Sequence, residues 1–187
     1  LFDTADIYGF NGRDGFGDAE ILLGQLFAAD PGLRHKLVLA SKSGVVPGVP
    51  YDSRADYLVA ACEASLRRLG TDHLDLFQVH RPDVLTHPAE VARALETLVT
   101  SGKARAVGVS NYSRTQVAAL VAHLRIPLAS IQPEFSPLVL EPLADGTLDL
   151  AMQHRISVLA WSPLAGGRLG DPGDDERAQR VCAELDR

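Results

Sequence analysis

Along the chain, short runs of apolar and β-branched residues alternate with longer stretches in which apolar positions recur at helical period. The short runs are Leu37–Ser41 (LVLAS), Leu74–Val79 (LDLFQV), Ala104–Val109 (ARAVGV), Ala129–Pro133 (ASIQP) and Ile156–Trp161 (ISVLAW), and the opening LFDTA reads as another. Runs of this length and composition predict strands. Between them the period changes to 3.6. Leu58, Ala61, Cys62, Ser65, Leu66 and Leu69 form one small or apolar stripe, Val91, Leu95, Leu98 and Val99 a second, and Val117, Leu120, Val121 and Leu124 a third. Each stripe predicts an amphipathic helix with a face to bury. Punctuation agrees: Ser113 followed by Gln116 resembles a capping box, Pro88 stands near a helix start, and Gly70 and Gly102 follow predicted helix ends, where a left-handed residue is favoured.

Strand–helix–strand units with short connections imply a parallel sheet covered by helices. Either an open doubly wound sheet or a closed (β/α)8 barrel satisfies this, and two features favour the barrel. Polar side chains stand at the C-terminal end of nearly every predicted strand: Asp3, Lys42, His80, Ser110 with Asn111, Gln132 and Ser162. A barrel brings those ends to one mouth, whereas an open sheet spreads them along a line. There is also no good dinucleotide fingerprint. Ala165 to Gly170 (AGGRLG) fits only if Ala replaces the first Gly, and it comes too late in the order of units to open a Rossmann domain. Its backbone could still approach a phosphate.

A full barrel of this kind runs to about 250 residues, and six strands are predicted here. The fold class expected is therefore α/β: a (β/α)8 TIM barrel, one domain over residues 1–187, present as an incomplete barrel lacking its first unit and its C-terminal unit or units. The closing DDERAQRVCAELDR is expected to be a helix whose return strand lies beyond it, and the chain, which starts without Met, to be a piece of a longer one. With two open sheet edges it is not expected to fold alone as a stable monomer.

Composition then narrows the function. Hydrophobic residues at 46% and charged residues at 22% are ordinary for a globular protein. The net charge of -6 argues against nucleic acid or an anionic membrane as the main partner. A small polar or neutral ligand fits better. No apolar run reaches the roughly 20 residues of a membrane span. Cys62 and Cys182 lie far apart in helical stretches and signal neither a disulfide framework nor a metal site, so a cytoplasmic setting is expected. No His-x-x-x-His or Cys-x-x-Cys pair occurs, and His35, His73, His87, His123 and His154 are expected at the surface or as caps.

With these residues placed, the chain resembles the aldo-keto reductase superfamily, in its bacterial NADPH-dependent form, over essentially its full length. FDTADIYG resembles the family's Asp-x-x-x-x-Tyr element, SKSG supplies a matching lysine and LDLFQVHRPD a matching histidine. LETLVTSGKARAVGVSN, IQPEFSP and AWSPLAGG resemble its later elements, in the right order. The resemblance implies reduction of a small-molecule aldehyde or ketone, with NADP(H) as cofactor and NAD(H) left open.

The residue types suit that chemistry. Hydride transfer to a carbonyl leaves negative charge on oxygen, which needs a proton donor and preorganised dipoles. A free tyrosine, with a pKa of about 10, is a sluggish acid, and a nearby ammonium favours its phenolate. The resemblance makes Tyr8 the general acid, Lys42 its cationic partner, Asp3 the anchor of Lys42, and His80 a neutral donor that orients the carbonyl. It assigns Ser110, Asn111 and Gln132 to the nicotinamide carboxamide and Trp161 to its ring face, where the family more often has Tyr. Ser162, Leu164 and Gly166 are expected near the pyrophosphate through backbone groups. Asp6 is left with two readings, a substrate contact or a loop cap. The connections Phe10 to Asp18 and Gly44 to Ser53, rich in Gly or Pro, are expected over the mouth, with Phe10, Phe16 and Tyr51 as an aromatic wall. Two other functions compete. One is a cofactor-binding regulatory subunit with incidental turnover, which resembles the channel-associated members of the superfamily. The other is a lyase using Lys42 as a Schiff-base amine, disfavoured because a carboxylate partner keeps the lysine protonated. Oligomeric state is left open.

Overall fold

The short apolar and β-branched runs become strands and the helical stripes become the helices between them. The computed structural model describes every residue except 50 and 186; these lie in the predicted Gly44 to Ser53 connection and the predicted C-terminal helix, so those parts of both expectations fall outside the described residues. The strands are β1 (Phe2–Asp3), β2 (Leu39–Ser43), β3 (Leu74–Val79), β4 (Ala104–Ser110), β5 (Ser130–Gln132) and β6 (Ser157–Val158). The helices are α1 (Asp18–Ala29), α2 (Pro31–Arg34), α3 (Ala55–Leu69), α4 (Pro88–Thr100), α5 (Arg114–Val121), α6 (Glu141–Ala144), α7 (Thr147–His154) and α8 (Glu176–Leu185). None is long and apolar enough to cross a membrane among the described residues.

All strands pair in parallel, in the order β1-β2-β3-β4-β5-β6. Each strand neighbours the next in sequence, so the sheet has no point at which its order reverses, as an open doubly wound sheet would. It is also strongly curled. Gln132 Nε2, at the end of β5, donates to Asp3 Oδ2 on β1 at 2.9 Å, although β2, β3 and β4 lie between them. In a flat sheet those ends would stand roughly 19 Å apart at the usual strand spacing.

Alternation sorts the two faces. Leu39, Phe77, Val79, Val107, Val109 and Ile131 point outward and join the core with Leu58, Cys62, Leu66 and Leu69 of α3, Val91, Leu95 and Leu98 of α4, and Val117 and Leu120 of α5. Fully burying each such aliphatic side chain stabilises by about 1.5–3 kcal/mol, so this layer holds the helices on. Toward the strand C-termini the concave face carries a row of polar and small residues: Lys42 faces Gln78 across the β2–β3 ladder, Gln78 faces Gly108, and Gly108 faces Ser130. Ser130 Oγ donates to Gln78 Oε1 at 3.1 Å.

The predicted boundaries hold at β3, shift by one or two residues at β1, β4 and β5, and shift most at β2 and β6. Leu37 and Val38 do not open β2, because Leu37 closes the turn after α2: its N–H donates to Arg34 O at 3.4 Å and its carbonyl accepts from Arg34 Nη1 at 3.3 Å. The strand starts at Leu39 and runs to Ser43, placing Lys42 inside it rather than past its end. β6 is shorter than the predicted Ile156–Trp161. Trp161 N still donates to Pro133 O at 3.0 Å, but Pro133 has no N–H to return, and the ladder breaks there. Helix α1 shows no stripe in the sequence, since Leu23 and Phe27 are buried while Ile21, Leu22 and Leu26 are exposed. The local signals at other helices agree with the structure. Gly70 caps α3 at φ 63°, Pro88 opens α4 behind His87, and Ser113 and Gln116 form the reciprocal capping box of α5.

Gly108 tests the packing of the concave face. A Cβ there would collide with Ser130 Oγ and come within 2.8 Å of Ser130 O. Gly108→Ala is expected to lower stability by about 1–3 kcal/mol, read from the urea unfolding midpoint of the intact protein.

Candidate active site

The site begins with the buried end of Lys42. Its side chain is 1% exposed, and Nζ donates to Asp3 Oδ2 at 2.7 Å and to Thr4 O at 2.9 Å. A buried ammonium is tolerated only when paired and hydrogen-bonded, and β1 supplies both partners. Nζ lies 5.0 Å from the centroid of the Tyr8 ring. Tyr8 stands in the loop after β1, its N–H donating to Ala5 O at 3.1 Å and its carbonyl accepting from Ala19 N at the start of α1 at 3.2 Å. The His80 ring meets Tyr8 edge-on, with centroids 5.7 Å apart and planes at 83°.

His80 follows β3 and is fixed by its own N–H, which donates to Ser43 O at 2.8 Å. Burial pushes its pKa down to about 4, helped by the positive charges of Lys42 and Arg81. Its ring is therefore neutral around pH 7, and its buried Nδ1 has no hydrogen-bond partner among the described residues.

At the end of β4 the backbone turns into the left-handed region at Asn111, φ 60°, a conformation Asn tolerates better than most residues. Its side chain makes three hydrogen bonds: Nδ2 donates to His80 O and to Ser110 Oγ, both at 3.0 Å, and Oδ1 accepts from the Trp161 indole N–H at 2.9 Å. Ser110 Oγ donates to Gln132 O at 2.9 Å. The ends of β3, β4 and β5 and the segment after β6 are thus tied together by side chains.

A cleft of about 240 Å³ opens over this assembly, lined by Tyr8, His80, Ser110, Asn111, Gln132 and Trp161, together with Arg81. Asp3 and Lys42 lie beneath it. The structure therefore gathers Asp3, Tyr8, Lys42, His80, Ser110, Asn111, Gln132 and Trp161 at one place. It does not gather Ser162, Leu164 and Gly166 there. They form the turn after β6, in which Ser162 Oγ accepts from Gly166 N at 2.8 Å and Leu164 is exposed. Nor do Phe10, Phe16 and Tyr51 line the cleft. Phe16 lies instead 5.7 Å from the Arg68 guanidinium, and Tyr51 bridges back to Val45.

Behind the loop is a buried polar cluster that sequence reasoning missed. Glu20 of α1 is 0% exposed, accepting from Arg68 Nε at 2.7 Å and from Ser41 Oγ at 2.5 Å. Asp6 lies within this cluster, 1% exposed, so its substrate-contact reading does not match its burial. Burial, with the Glu20 charge adding to it, pushes its pKa up to about 7. Its backbone N–H donates to Lys42 O at 3.0 Å, tying the Tyr8 loop to β2. His73, expected at the surface or as a cap, is half-buried beside Asp72 and Asp75. Among the described residues no group of three His, Cys, Asp or Glu could hold a metal ion.

The model of the aldo/keto reductase family matches residues 1–183. The chain belongs to the aldo/keto reductase family. It is 55% identical over 186 residues to a 6-dehydroglucose reductase of Novosphingobium aromaticivorans, a match covering 100% of this chain and 61% of that protein. It is 38% identical over 176 residues to an L-glyceraldehyde 3-phosphate reductase of Escherichia coli, covering 90% of this chain and 49% of that one. Among solved structures it superposes on a glycerol dehydrogenase from Gluconobacter oxydans with a TM-score of 0.80 at 36% identity, covering 92% of this chain and 52% of that one. The chain thus spans about three-fifths or less of the length of these aldo/keto reductase relatives.

Two titrations of opposite sign are expected in this aldo/keto reductase. Asp6, with its folded pKa raised, stabilises fully below its unfolded value near 3.8 and loses that contribution as pH rises to about 7. Asp6→Asn should therefore gain stability over wild type at about pH 8 but not at about pH 4, read by urea unfolding at both. His80 is depressed from 6.5, so its contribution is present above that value and lost as pH falls through about 4. Its imidazole resonances should stay at neutral-ring shifts down to about pH 5.

Proposed function

We propose that the intact protein reduces an aldehyde or ketone to an alcohol with a nicotinamide cofactor, NADP(H) or NAD(H), and that its curled sheet belongs to a closed (β/α)8 barrel. The observation that carries this reading is the single cleft joining Tyr8 and His80 above the Lys42–Asp3 pair. The names of the two relatives add that oxygen-rich aldehydes are the first substrates to test.

The cleft fits a carboxamide and its ring. Gln132 Nε2 is committed to Asp3, while Oε1 has no hydrogen-bond partner among the described residues and is free to accept an amide N–H. Asn111 Oδ1 retains a second lone pair beside the one taken by Trp161. The Trp161 indole is held by its N–H at 2.9 Å, which presets the orientation of a flat apolar surface at the cleft wall. Ser110, Asn111, Gln132 and Trp161 would hold the nicotinamide, which when bound supplies the hydride. Ser162, Leu164 and Gly166, outside the cleft, remain candidates for its distal end.

The chain's own residues do the rest. His80, uncharged, donates an N–H to the carbonyl oxygen and fixes its direction. As the carbon gains the hydride, the carbonyl π electrons move to oxygen, and that oxygen takes the proton of the Tyr8 hydroxyl. The Lys42 ammonium stabilises the phenolate left behind, and Asp3 holds that ammonium in place. Solvent at the exposed Tyr8 ring returns the proton. The same ion pair opposes the Schiff-base reading, since Lys42 is held as an ammonium. The regulatory-subunit reading draws no support from the cleft, where Tyr8 and His80 stand above the Lys42–Asp3 pair.

Tyr8→Phe should lower kcat by about 100- to 10,000-fold while nicotinamide affinity changes little. The check is NADPH absorbance loss with a panel of aldehydes, beside fluorescence titration of the cofactor. Unchanged turnover in the variant overturns Tyr8 as the acid; cofactor binding with no turnover in wild type points to the regulatory reading.

A further inference from the structure

Arg81 follows His80 directly and lines the same cleft as Tyr8, Asn111 and Trp161. A guanidinium carries five donors and keeps its charge at any physiological pH. Half-buried, it ordinarily meets a carboxylate. Arg81 makes no ion pair or hydrogen bond among the described residues. The acids of the flanking loops are committed elsewhere. Asp83, two residues on, accepts from Leu85 N at 2.9 Å, Thr86 Oγ1 at 2.6 Å and Ser53 N at 3.3 Å, closing its own turn. Asp52 is held by Arg54 at 2.7 Å, and Asp3 by Lys42 and Gln132.

The rest of the cleft offers no balancing charge. Ser110, Asn111 and Gln132 are neutral, Lys42 is neutralised by Asp3, and His80 is an uncharged ring, partly because Arg81 sits beside it. The cleft thus presents a cation with open donors, one residue from the imidazole assigned to the carbonyl oxygen. Both side chains line the cleft, so the two address one small molecule.

We propose that Arg81 is a specificity-determining residue that binds hydroxyl oxygens on the carbons next to the reacting carbonyl, making hydroxylated aldehydes the preferred substrate class. The planar fork of the guanidinium spans two oxygens on adjacent carbons, as it spans the two of a carboxylate. An aliphatic aldehyde of the same length displaces water from the fork and returns no acceptor, which leaves a desolvated donor unpaired. Discrimination therefore comes as much from rejecting the deoxygenated aldehyde as from holding the hydroxylated one.

This inference rests on the reductase reading, and the test separates the two. Initial rates of NADPH oxidation by the intact protein are measured with glyceraldehyde and with propanal, for wild type, Arg81→Met and Arg81→Lys. Comparing each variant with wild type on the same aldehyde cancels differences in aldehyde hydration. Arg81→Met is expected to lower kcat/KM for glyceraldehyde by about 10- to 100-fold and for propanal by less than about threefold, with Arg81→Lys between. Unchanged melting temperatures show that the variants fold. Equal losses on both aldehydes, or a ratio that Arg81→Met leaves alone, overturn the role of Arg81 while the reductase reading stands. A wild type that reduces neither of these nor any other aldehyde or ketone of a broad panel, with NADPH or NADH, overturns both.

Discussion

The ion pair between Lys42 and Asp3 is the constraint around which the rest of the site is arranged. An ammonium that is 1% exposed would be untenable in an apolar interior. It is stable here because the parallel pairing of β1 with β2 sets Asp3 opposite Ala40, so that Lys42, two residues further along the same face, reaches back to it. The carboxylate then has capacity for a second donor, which Gln132 fills from β5. One oxygen atom thereby receives hydrogen bonds from two strands that a flat sheet would hold far apart. The curl and the charge pair require each other.

The cleft inherits its electrostatics from this arrangement. With Lys42 neutralised from below, Tyr8 feels a localised cation at 5.0 Å, and Arg81 is left as the cleft wall's uncompensated charge among the described residues. His80, deprived of water and flanked by cations, has no reason to take a proton. The buried Glu20–Arg68 pair serves the same end from behind, since it anchors α1 against α3, and the start of α1 fixes the Tyr8 carbonyl.

Features with local causes were legible in the sequence. The Ser113–Gln116 cap, the terminal Gly70 and the initial Pro88 act within a few residues, and chain order alone placed Asp3, Lys42 and His80 near strand ends. What depends on partners distant in sequence was not. Phe16 looked like a wall residue because nothing local reveals Arg68, some fifty positions on, as its partner. Glu20 was hidden by the diffuse apolar pattern of α1. Arg81 carries meaning only once Asp83 and Asp52 are known to be occupied. The Trp161–Asn111 hydrogen bond likewise joins residues fifty positions apart, an indole N–H meeting an amide oxygen.

The amide of Gln132 has one more property. Its nitrogen faces a carboxylate that also holds Lys42, and turning the amide over would set Oε1 against Asp3 Oδ2, two acceptors in contact. The orientation is therefore locked while Asp3 is ionised, and the oxygen is the atom left for the cleft. A ligand arriving at that point is read for an N–H and refused for a carbonyl, by a charge that sits on another strand and never touches it.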